Sequence, residues 1–410
     1  MRRTKGCDLT NRRSVQVSTN VKQRKICVVT TSRAEFGLLL GLIRSIQADP
    51  ALSLQVIASG SHLASEFGLT VREIESEGIK IDRKIDLALT GESGVANSKS
   101  IGMGLEGFAV AFSELKPGIV VLLGDRFELL APAISALMIG IPIAHIHGGE
   151  LSEGAVDDSV RHAITKLASL HFAATESYRR RIVQLGECPK RVFNFGAPGL
   201  DQLYGSTLLT RSQLERELDL DLQEPVALVT YHPVTRDAGS TKAQVRSLVA
   251  ALIASGLQAV ITMANADAEG SLINTRLQAA CSQNPERLKW VPHLGHKRYL
   301  SCLKHFAVMV GNSSSGLIEA PSFQLPVINI GDRQRGRVRA INVIDVSCVQ
   351  AAIQQGIKRA ISPHFRATLR EMHNPYDRFH DGRVSERIKD VLRDTDISGD
   401  FLKKHFHDLT

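Results

Sequence analysis

The chain has 410 residues, with 43% hydrophobic and 22% charged side chains and a formal net charge of +8. Its length and composition are typical of a globular protein with two or three domains, and its apolar runs are too short to cross a bilayer. The positive charge does not indicate nucleic-acid binding, because residues 1–25 contain eight Lys and Arg against one acid and leave about +1 for the rest.

The N-terminal segment and the cysteines indicate the cellular compartment in which the protein is expected. Residues 1–24 are basic and lack the apolar stretch of a secretory signal. We expect a disordered extension there, with a nucleic-acid arm or a targeting segment as the alternatives. The six cysteines include no C-x-x-C pair, which fits unpaired thiols and argues against a structural zinc site. The expected compartment is therefore the cytoplasm, with neither a membrane nor a nucleic acid as partner.

Apolar, β-branched runs alternate with helical patterns along the chain. In the first half, strands are predicted at 26–32, 54–59, 118–125, 142–147, 170–175 and 192–196. After a polar stretch, further strands are predicted at 225–232, 258–265, 287–294, 306–312 and 325–331. A capping box at Ser212–Glu215 is predicted to begin a helix just before this second set. The alternation predicts an α/β fold with two doubly wound, Rossmann-like domains that meet at a cleft.

The segment 143–166, IAHIHGGELSEGAVDDSVRHAITK, is crowded with ionisable residues. A strand, a glycine turn and a helix follow one another here, which is where open α/β sheets hold their ligands. Neighbouring carboxylates and imidazoles shift one another's pKa values, as acid–base chemistry on a weakly acidic C–H requires. No metal site is expected at His145 and His147. The ionisable residues that crowd positions 145–162 include His145, His147, Glu150, Asp157, Asp158, Arg161 and His162.

The segment 311–321, GNSSSGLIEAP, is the second motif. A buried strand runs into small residues and then a helix, whose first N–H groups and dipole attract an anion such as phosphate. Glu319 lies about one turn into this helix, where a carboxylate suits a ribose diol. The alternative is an ordinary serine cap with tight helix–strand packing. The chain has no Walker A motif and no strict G-x-G-x-x-G after its first strand, which argues against ATP hydrolysis and NAD chemistry.

Together these motifs resemble the hydrolysing UDP-N-acetylglucosamine 2-epimerases over residues 25–393. The similar segments are TSRAEFG (31–37), GSHL (60–63), GDRFE (124–128), HIHGGELSEGAVDDSVRHAITK (145–166), TYHP (230–233), GNSSSGLIEAP (311–321) and NPY…DGRVSERI (374–388). The family implies a glycosyltransferase-B-type arrangement whose C-terminal helix returns to the first domain. The predicted parts are an extension (1–24), an N-terminal domain (25–199), a UDP-binding domain (200–375), a C-terminal helix (376–395) and a tail (396–410).

The resemblance implies two sets of site residues. The catalytic set is Asp125, Glu150, Asp157, Arg161 and His232. The substrate-binding set is Arg33, His62, Arg126, His147, Asn265, Ser313, Ser314, Glu319 and Arg333. Structural alternatives are an exposed loop arginine for Arg33, a structural imidazole for His62, an Asp125–Arg126 salt bridge, and a surface pair of Asp157 with Arg161. The chain departs from several relatives at His147, where they carry a carboxylate.

The reaction implied by this resemblance begins with loss of UDP from C1 as the C2 proton leaves. Water then adds to the resulting 2-acetamidoglycal and releases the free sugar inverted at C2, without metal or cofactor. Asp125, Glu150 and Asp157 are the candidate acid and base. The expected substrate is UDP-N-acetylglucosamine, which gives N-acetylmannosamine for sialic-acid-like sugars.

Other functions stay open at this point. UDP-N,N′-diacetylbacillosamine, of the legionaminic-acid pathway, is the alternative substrate for the same reaction. Alternative functions are a non-hydrolysing epimerase, a glycosyltransferase of the same architecture and a non-catalytic nucleotide-sugar-binding protein. Relatives suggest a homodimer or a homotetramer, with the UDP-sugar and UDP as ligands.

Overall fold

The structure is a computed structural model that describes residues 23–65, 68–89, 91, 93–153, 156–233, 241–264 and 269–409. Almost all of the predicted basic extension lies outside these residues. Within the described part of the chain, no helix is both long and apolar enough to cross a membrane.

The first domain is built on a parallel sheet. Its strands in the described residues are β1 (Arg24–Thr30), β2 (Leu52–Ser59), β3 (Arg83–Ile85), β4 (Ile119–Leu123), β5 (Ile143–Ile146), β6 (Leu170–Ala173) and β7 (Val192–Asn194). They pair in the order β3-β2-β1-β4-β5-β6-β7. Its helices are α1 (Arg33–Ala48), α2 (Val71–Ser76), α3 (Gly94–Leu115), α4 (Leu130–Ile139), α5 (Val156–Leu167), α6 (Glu176–Gln184) and α7 (Asp201–Gly205).

Both faces of this sheet are covered, which explains why its strands are continuous apolar runs. Successive residues of a strand point to opposite faces. Ile26 and Val28 of β1 pack with Leu39 of α1 on one face. Cys27 and Val29 pack on the other face, in the core cluster that contains residues of α3 and α4. The loops at the ends of the strands are therefore left to carry polar function.

The second domain repeats the same topology. Its described strands are β8 (Val226–Thr230), β9 (Gln258–Ile261), β10 (Leu288–Trp290), β11 (Val308–Gly311), β12 (Val327–Ile330) and β13 (Val343–Val346), paired in parallel as β10-β9-β8-β11-β12-β13. Its helices are α8 (Arg211–Leu218), α9 (Thr241–Ser255), α10 (Gly270–Gln283), α11 (Gly295–His305), α12 (Ser315–Ile318), α13 (Gln350–Ala360) and α14 (Pro363–Thr368). The prediction of two doubly wound domains is confirmed.

A last helix, α15 (Val384–Asp394), returns to the first domain as predicted. Asp201 accepts hydrogen bonds from the N–H groups of Val384 at 2.8 Å and Ser385 at 2.6 Å, which fixes the start of the helix. The face turned to the first-domain core buries Val384, Ile388 and Leu392. The predicted domain boundaries themselves stay a prediction.

Two details of the local prediction were wrong or missing. The helix predicted to begin at Ser212 instead has Thr210 as its cap, and Thr210 and Gln213 form the reciprocal hydrogen bonds of the capping box. The edge strands β3 and β13 were not predicted, because each is only three or four residues long and contains charged side chains.

The two sheets share a feature that positions the site. In each sheet the chain reverses its direction of winding between two central strands, β1 and β4 in the first domain and β8 and β11 in the second. Ligands of open α/β sheets bind in the crevice beyond the carboxyl ends of such strands. The predicted site residues should therefore gather at these two switch points.

Candidate active site

The glycine turn after β5 sets the geometry of the first-domain site. His147 follows the strand with a φ of 63°, and Gly149 has a φ of 75°. A Cβ atom on Gly149 would lie 2.5 Å from the carbonyl oxygen of Tyr178, so only glycine fits there. Histidine is among the residues that tolerate the left-handed region better than most. The turn brings His147 and Glu150 onto the same side.

His147 and Glu150 form a buried pair. The Nδ1 atom of His147 lies 2.6 Å from Oε1 of Glu150, and the two side chains are 8% and 3% exposed. Nε2 of His147 has no hydrogen-bond partner among the described residues. Burial raises the pKa of Glu150, but His147 and Arg337 outweigh it and hold that pKa below its usual value. Glu150 is therefore a carboxylate with one oxygen committed to the imidazole.

His145, two residues earlier, contrasts with His147. Its Nε2 lies 2.8 Å from the carbonyl oxygen of Gly124, and its Nδ1 lies 3.2 Å from the hydroxyl of Thr165. Burial lowers the pKa of His145 to about 3. His145 is thus a neutral imidazole that ties β5 to β4 and α5.

Asp125 and Arg161 form the second charged pair. Asp125 follows β4 across Gly124, and Arg161 of α5 donates to its carboxylate. Arg161 is only 2% exposed, so it is not part of a surface pair, and Nη2 also lies 3.2 Å from the Ser152 hydroxyl. Its Nε and Nη1 atoms have no partner within the described part of the chain. Asp157 is exposed in the first turn of α5.

Two further carboxyl groups beside Arg126 were missed by the sequence analysis. Arg126 donates to Glu128 at 2.7 Å and lies 3.9 Å from Glu35. Glu35 also accepts the N–H of Thr31 at 2.8 Å. Burial raises the pKa of Glu35 to about 7, against the opposing effect of Arg126. Both glutamates lie inside TSRAEFG and GDRFE, so the signal was present in motifs already singled out.

The other predicted residues of the first domain have structural partners. The ring nitrogens of His62 lie 3.0 Å from the Thr30 hydroxyl and 2.9 Å from the Thr70 hydroxyl. Burial lowers the pKa of His62 to about 4, which favours the structural alternative. Arg33 is partly exposed and lies 2.9 Å from Glu73 and 3.0 Å from Nδ1 of His293 in the second domain.

The second-domain switch point is held by an amide. Asn312, after β11, accepts the N–H of His232 at 2.7 Å and donates to its carbonyl at 2.8 Å. A Cβ atom on Gly311 would lie 1.9 Å from the carbonyl oxygen of Thr230, so glycine is required for this approach. Burial, reinforced by Arg333, lowers the pKa of His232. Asn312 was missed, although it lies within the predicted GNSSSG motif.

The segment after Asn312 forms a short turn of helix. Ser314 occupies the cap position of the four-residue α12, and Ser313 accepts the N–H of Ser315 at 3.4 Å. Oε2 of Glu319 is buried without a partner among the described residues. Burial raises the pKa of Glu319, whereas Ser315 and the first-domain His147 act to lower it. Asn265 lies outside the described residues.

A loop of the second domain reaches into the first-domain site. The guanidinium of Arg333 lies 3.3 Å from the carbonyl oxygen of Asn312. Arg337 donates to the carbonyl of Leu151 at 3.2 Å, and its Nη2 lies 3.8 Å from Glu150. Arg337 was missed, because its sequence context GDRQRGRVRA reads only as a basic loop. The two switch points therefore share one cleft.

Comparisons with known proteins agree with this geometry. A profile of the family described as UDP-N-acetylglucosamine 2-epimerase matches residues 44–393. The chain is 44% identical over 326 residues to the GDP/UDP-N,N′-diacetylbacillosamine 2-epimerase (hydrolyzing) of Campylobacter jejuni subsp. jejuni serotype O:2, covering 79% of this chain and 85% of that relative. It is 37% identical to the UDP-N,N′-diacetylbacillosamine 2-epimerase (hydrolyzing) of Legionella pneumophila subsp. pneumophila, covering 93% and 98% of the two chains.

A solved structure shows the same fold. The UDP-GlcNAc 2-epimerase from Neisseria meningitidis, bound to UDP-GlcNAc, superposes with a TM-score of 0.78 at 18% identity and covers 90% of this chain and 100% of its own. With the family profile covering most of the described sequence, the chain belongs to the UDP-N-acetylglucosamine 2-epimerase family.

Proposed function

We propose that this protein is a hydrolysing 2-epimerase of a UDP-2-acetamido sugar. The observation that carries the proposal is the set of charged and ionisable groups at one end of the first sheet: the pair of half-buried Asp125 with buried Arg161, and the buried His147–Glu150 pair. Two relatives of 44% and 37% identity are named as hydrolysing enzymes of this kind. The protein removes the C2 proton, expels UDP and hydrates the glycal.

The unpartnered buried atoms of the cleft support a polar ligand in it. Among the described residues, Nε2 of His147, Nε and Nη1 of Arg161 and Oε2 of Glu319 lack hydrogen-bond partners. Leaving a buried polar group unpaired costs about 1–3 kcal/mol each. A sugar with hydroxyl, amide and phosphate groups supplies both the donors and the acceptors that these atoms need.

The nucleotide half of the substrate is assigned to the second domain. Ser313, Ser314 and Glu319 follow β11 at its switch point, where small residues allow close approach. His232 lies beside them. Arg33 and Arg333 supply positive charge from the two sides of the cleft. UDP leaving as a polyanion is stabilised by such preplaced cations and N–H groups.

For the sugar we propose the 2,4-diacetamido substrate, UDP-N,N′-diacetylbacillosamine, ahead of UDP-N-acetylglucosamine. This reverses the order expected from the sequence alone. The support is the pair of relatives named for that substrate, both more than 35% identical to this chain. The two sugars differ at C4 and C6, far from the C1–C2 bond at which the reaction occurs, so the same chemistry serves either.

NMR of the purified protein with each UDP-sugar in D₂O tests the proposal. We expect UDP and a free 2-epimeric sugar in equal amounts, with one deuterium at C2, and faster turnover of the diacetamido substrate. The Asp125→Asn variant serves as the control for non-enzymatic exchange. An intact UDP-linked epimer as the main product would instead indicate the non-hydrolysing reaction.

We also propose a cytoplasmic homo-oligomer. The free thiols of Cys27, Cys281 and Cys302 are buried, which supports a reducing compartment. Apolar side chains on the outer faces of α3 and α4 support self-association, with Val110 55% and Met138 73% exposed. Light scattering should give two or four times the chain mass, and Met138→Glu should lower it. A monomeric wild type would refute this part.

A further inference from the structure

We propose that His147 is the base that removes the C2 proton, and that Glu150 is a positioning residue that acts through it. This inference rests on the proposed function and refines it, because the family resemblance implies the reverse assignment, with Glu150 catalytic and His147 binding substrate. The geometry of the glycine turn points to the imidazole. Three independent features of the described residues carry the argument.

The first feature is that Glu150 is held by the imidazole of His147 and lies beside the guanidinium of Arg337. Its Oε1 atom is hydrogen-bonded to Nδ1 of His147 at 2.6 Å, and its Oε2 atom lies 3.8 Å from Arg337. The side chain is 3% exposed. A base must come within hydrogen-bond reach of the proton that it removes. The imidazole, whose Nε2 atom is unpartnered among the described residues, is therefore the group of this pair that we assign to proton removal.

The second feature is the unpartnered Nε2 atom of His147. The whole residue is 6% exposed, yet this nitrogen has no partner among the described residues. His145, on the same strand, has both ring nitrogens occupied. When Glu150 accepts a hydrogen bond from Nδ1–H, Nε2 keeps its lone pair, since each neutral imidazole carries one donor and one acceptor. A buried lone pair without a donor marks where substrate is expected.

The third feature is the backbone of His147. Its φ of 63° lies in the left-handed region, which is unfavourable for a residue other than glycine and persists where surrounding structure enforces it. The N–H of His147 is held by the carbonyl of Phe172 at 3.0 Å. Burial raises the pKa of Glu319, the ribose-binding candidate of the second domain, and the charge of His147 acts to lower it. The turn thus fixes the backbone from which the imidazole projects at the carboxyl end of β5.

The step balances without any further reactant. The Nε2 lone pair takes the C2 proton, and the electrons of the C2–H bond become the C1=C2 double bond. The C1–O bond breaks, and its electron pair leaves with the β-phosphate oxygen of UDP. The resulting imidazolium is stabilised by the Glu150 carboxylate, and its proton passes to water before the next turnover. Inversion requires that C2 is reprotonated from the opposite face by another group.

The variants His147→Asn and His147→Gly test this assignment. Asparagine tolerates the left-handed backbone but cannot act as a base, so kcat for UDP release should fall by at least about 10²-fold. Its UDP affinity should stay within about threefold of wild type by calorimetry. Glycine leaves a space where the ring was. Imidazole in the buffer should therefore raise the rate of UDP release by His147→Gly at least about tenfold, without stimulating wild type.

A half-reaction separates a catalytic role from a structural one. When 2-acetamidoglycal and UDP are supplied together, His147→Asn should still release the free sugar at close to the wild-type rate. Equal losses in elimination and hydration, or near-normal UDP release, would overturn the assignment of His147. If wild type releases no UDP from any UDP-2-acetamido sugar, the proposed function itself fails, which is a different result.

Glu150→Gln tests the positioning role. Glutamine can still accept a hydrogen bond from Nδ1 but carries no charge, so kcat should fall about tenfold to a hundredfold while KM changes little. In ¹⁵N spectra, the His147 ring should show one tautomer in wild type and a mixture in the variant. A single unchanged tautomer with normal kcat would remove Glu150 from the reaction, and an abolished kcat in Glu150→Gln without imidazole rescue of His147→Gly would return Glu150 to the role of base.

Discussion

The two switch points have the same strand topology but are built from different chemistry. In the first domain, buried charges face each other across elements, as Asp125 and Arg161 do between β4 and α5. In the second domain, the neutral amide of Asn312 holds the backbone of His232. Paired ionisable groups in a cleft can transfer protons, whereas neutral amides and small residues can bind a polyanion without a charge of their own. We therefore propose that the same fold divides one reaction between its two halves.

The first domain buries charged side chains at its switch point, whereas the second domain brings backbone segments into close contact there. A buried ion pair loses so much hydration that it contributes little to stability, so the pairs of the first domain are better explained by chemistry than by folding. The glycine-dependent contacts of the second domain bring backbone close to backbone, as Gly311 does against Thr230. The following predictions test this division, beginning with the largest effect.

Asp125→Asn should lower kcat by at least about 10²-fold while leaving UDP affinity within about threefold of wild type. The amide keeps an acceptor for Arg161 but removes the charge and the capacity to transfer a proton. Steady-state kinetics and calorimetry with UDP measure the two quantities. Asp219→Asn is the control, because Asp219 is 99% exposed in the second domain. Normal turnover of Asp125→Asn would return the pair to a structural role.

Glu35→Gln should change how stability depends on pH. The pKa of Glu35 is raised from 4.5 to about 7 in the folded protein, so the native state binds this proton more tightly than the unfolded state. As pH rises from about 4.5 through about 7, the Glu35 carboxyl therefore lowers the free energy of unfolding by up to about 3 kcal/mol. Glutamine does not titrate, so it removes that dependence. The free energy of unfolding of Glu35→Gln, relative to that of wild type, should therefore be higher at pH 8 than at pH 4.5.

Urea unfolding at the two pH values measures this difference. Glu106→Gln on the exposed surface of α3 is the matched control and should show no such trend. An equal difference between wild type and Glu35→Gln at both pH values would show that burial does not hold the Glu35 carboxyl protonated near neutrality. The first switch point would then lack a third acid–base group.

Glu319→Ala should weaken UDP binding by about 5- to 150-fold, because losing a hydrogen bond to a charged group costs roughly 1–3 kcal/mol. Substrate and UDP should be affected alike, since both carry the ribose. Calorimetry with UDP decides this, with the exposed Glu371→Ala of the same domain as control. Unchanged UDP affinity would make the 311–321 segment an ordinary helix start and would end the division between the two switch points.

The sequence predicted the central strands of both sheets, because buried parallel strands are continuous apolar runs. It did not predict the edge strands β3 and β13, whose residues are exposed on one side and partly charged. The motifs located most of the residues at the two switch points. The order of strands and motifs along the chain therefore predicted the fold and the approximate location of the candidate site.

The pairing of charges was not predictable in the same way. Arg161 is four residues from Asp157, which suggested a local pair, yet its guanidinium bonds Asp125, 36 residues away. Arg337 approaches Glu150 from the other domain. Such partners are chosen by how helices and loops pack in three dimensions, and a single sequence contains no periodic signal for them.

The smallest predicted effect compares two arginines of one loop. Arg337 is 15% exposed and lies 3.8 Å from Glu150, whereas Arg335 is 67% exposed and lies 3.4 Å from Glu153. Arg337→Ala should lower kcat about tenfold, because it removes a buried charge-assisted contact and the cation that favours the ionised Glu150. Arg335→Ala should change kcat by less than about threefold, since exposed ion pairs contribute little.

Steady-state kinetics of both variants, with thermal unfolding to confirm folding, makes the comparison. Equal effects of the two substitutions would mean that the loop acts only through its net positive charge on UDP. A loss confined to Arg337→Ala, with UDP affinity preserved, would show that the second domain contributes to proton transfer as well as to nucleotide binding. Arg337 would then be a side chain of the second domain that crosses the cleft and acts on Glu150.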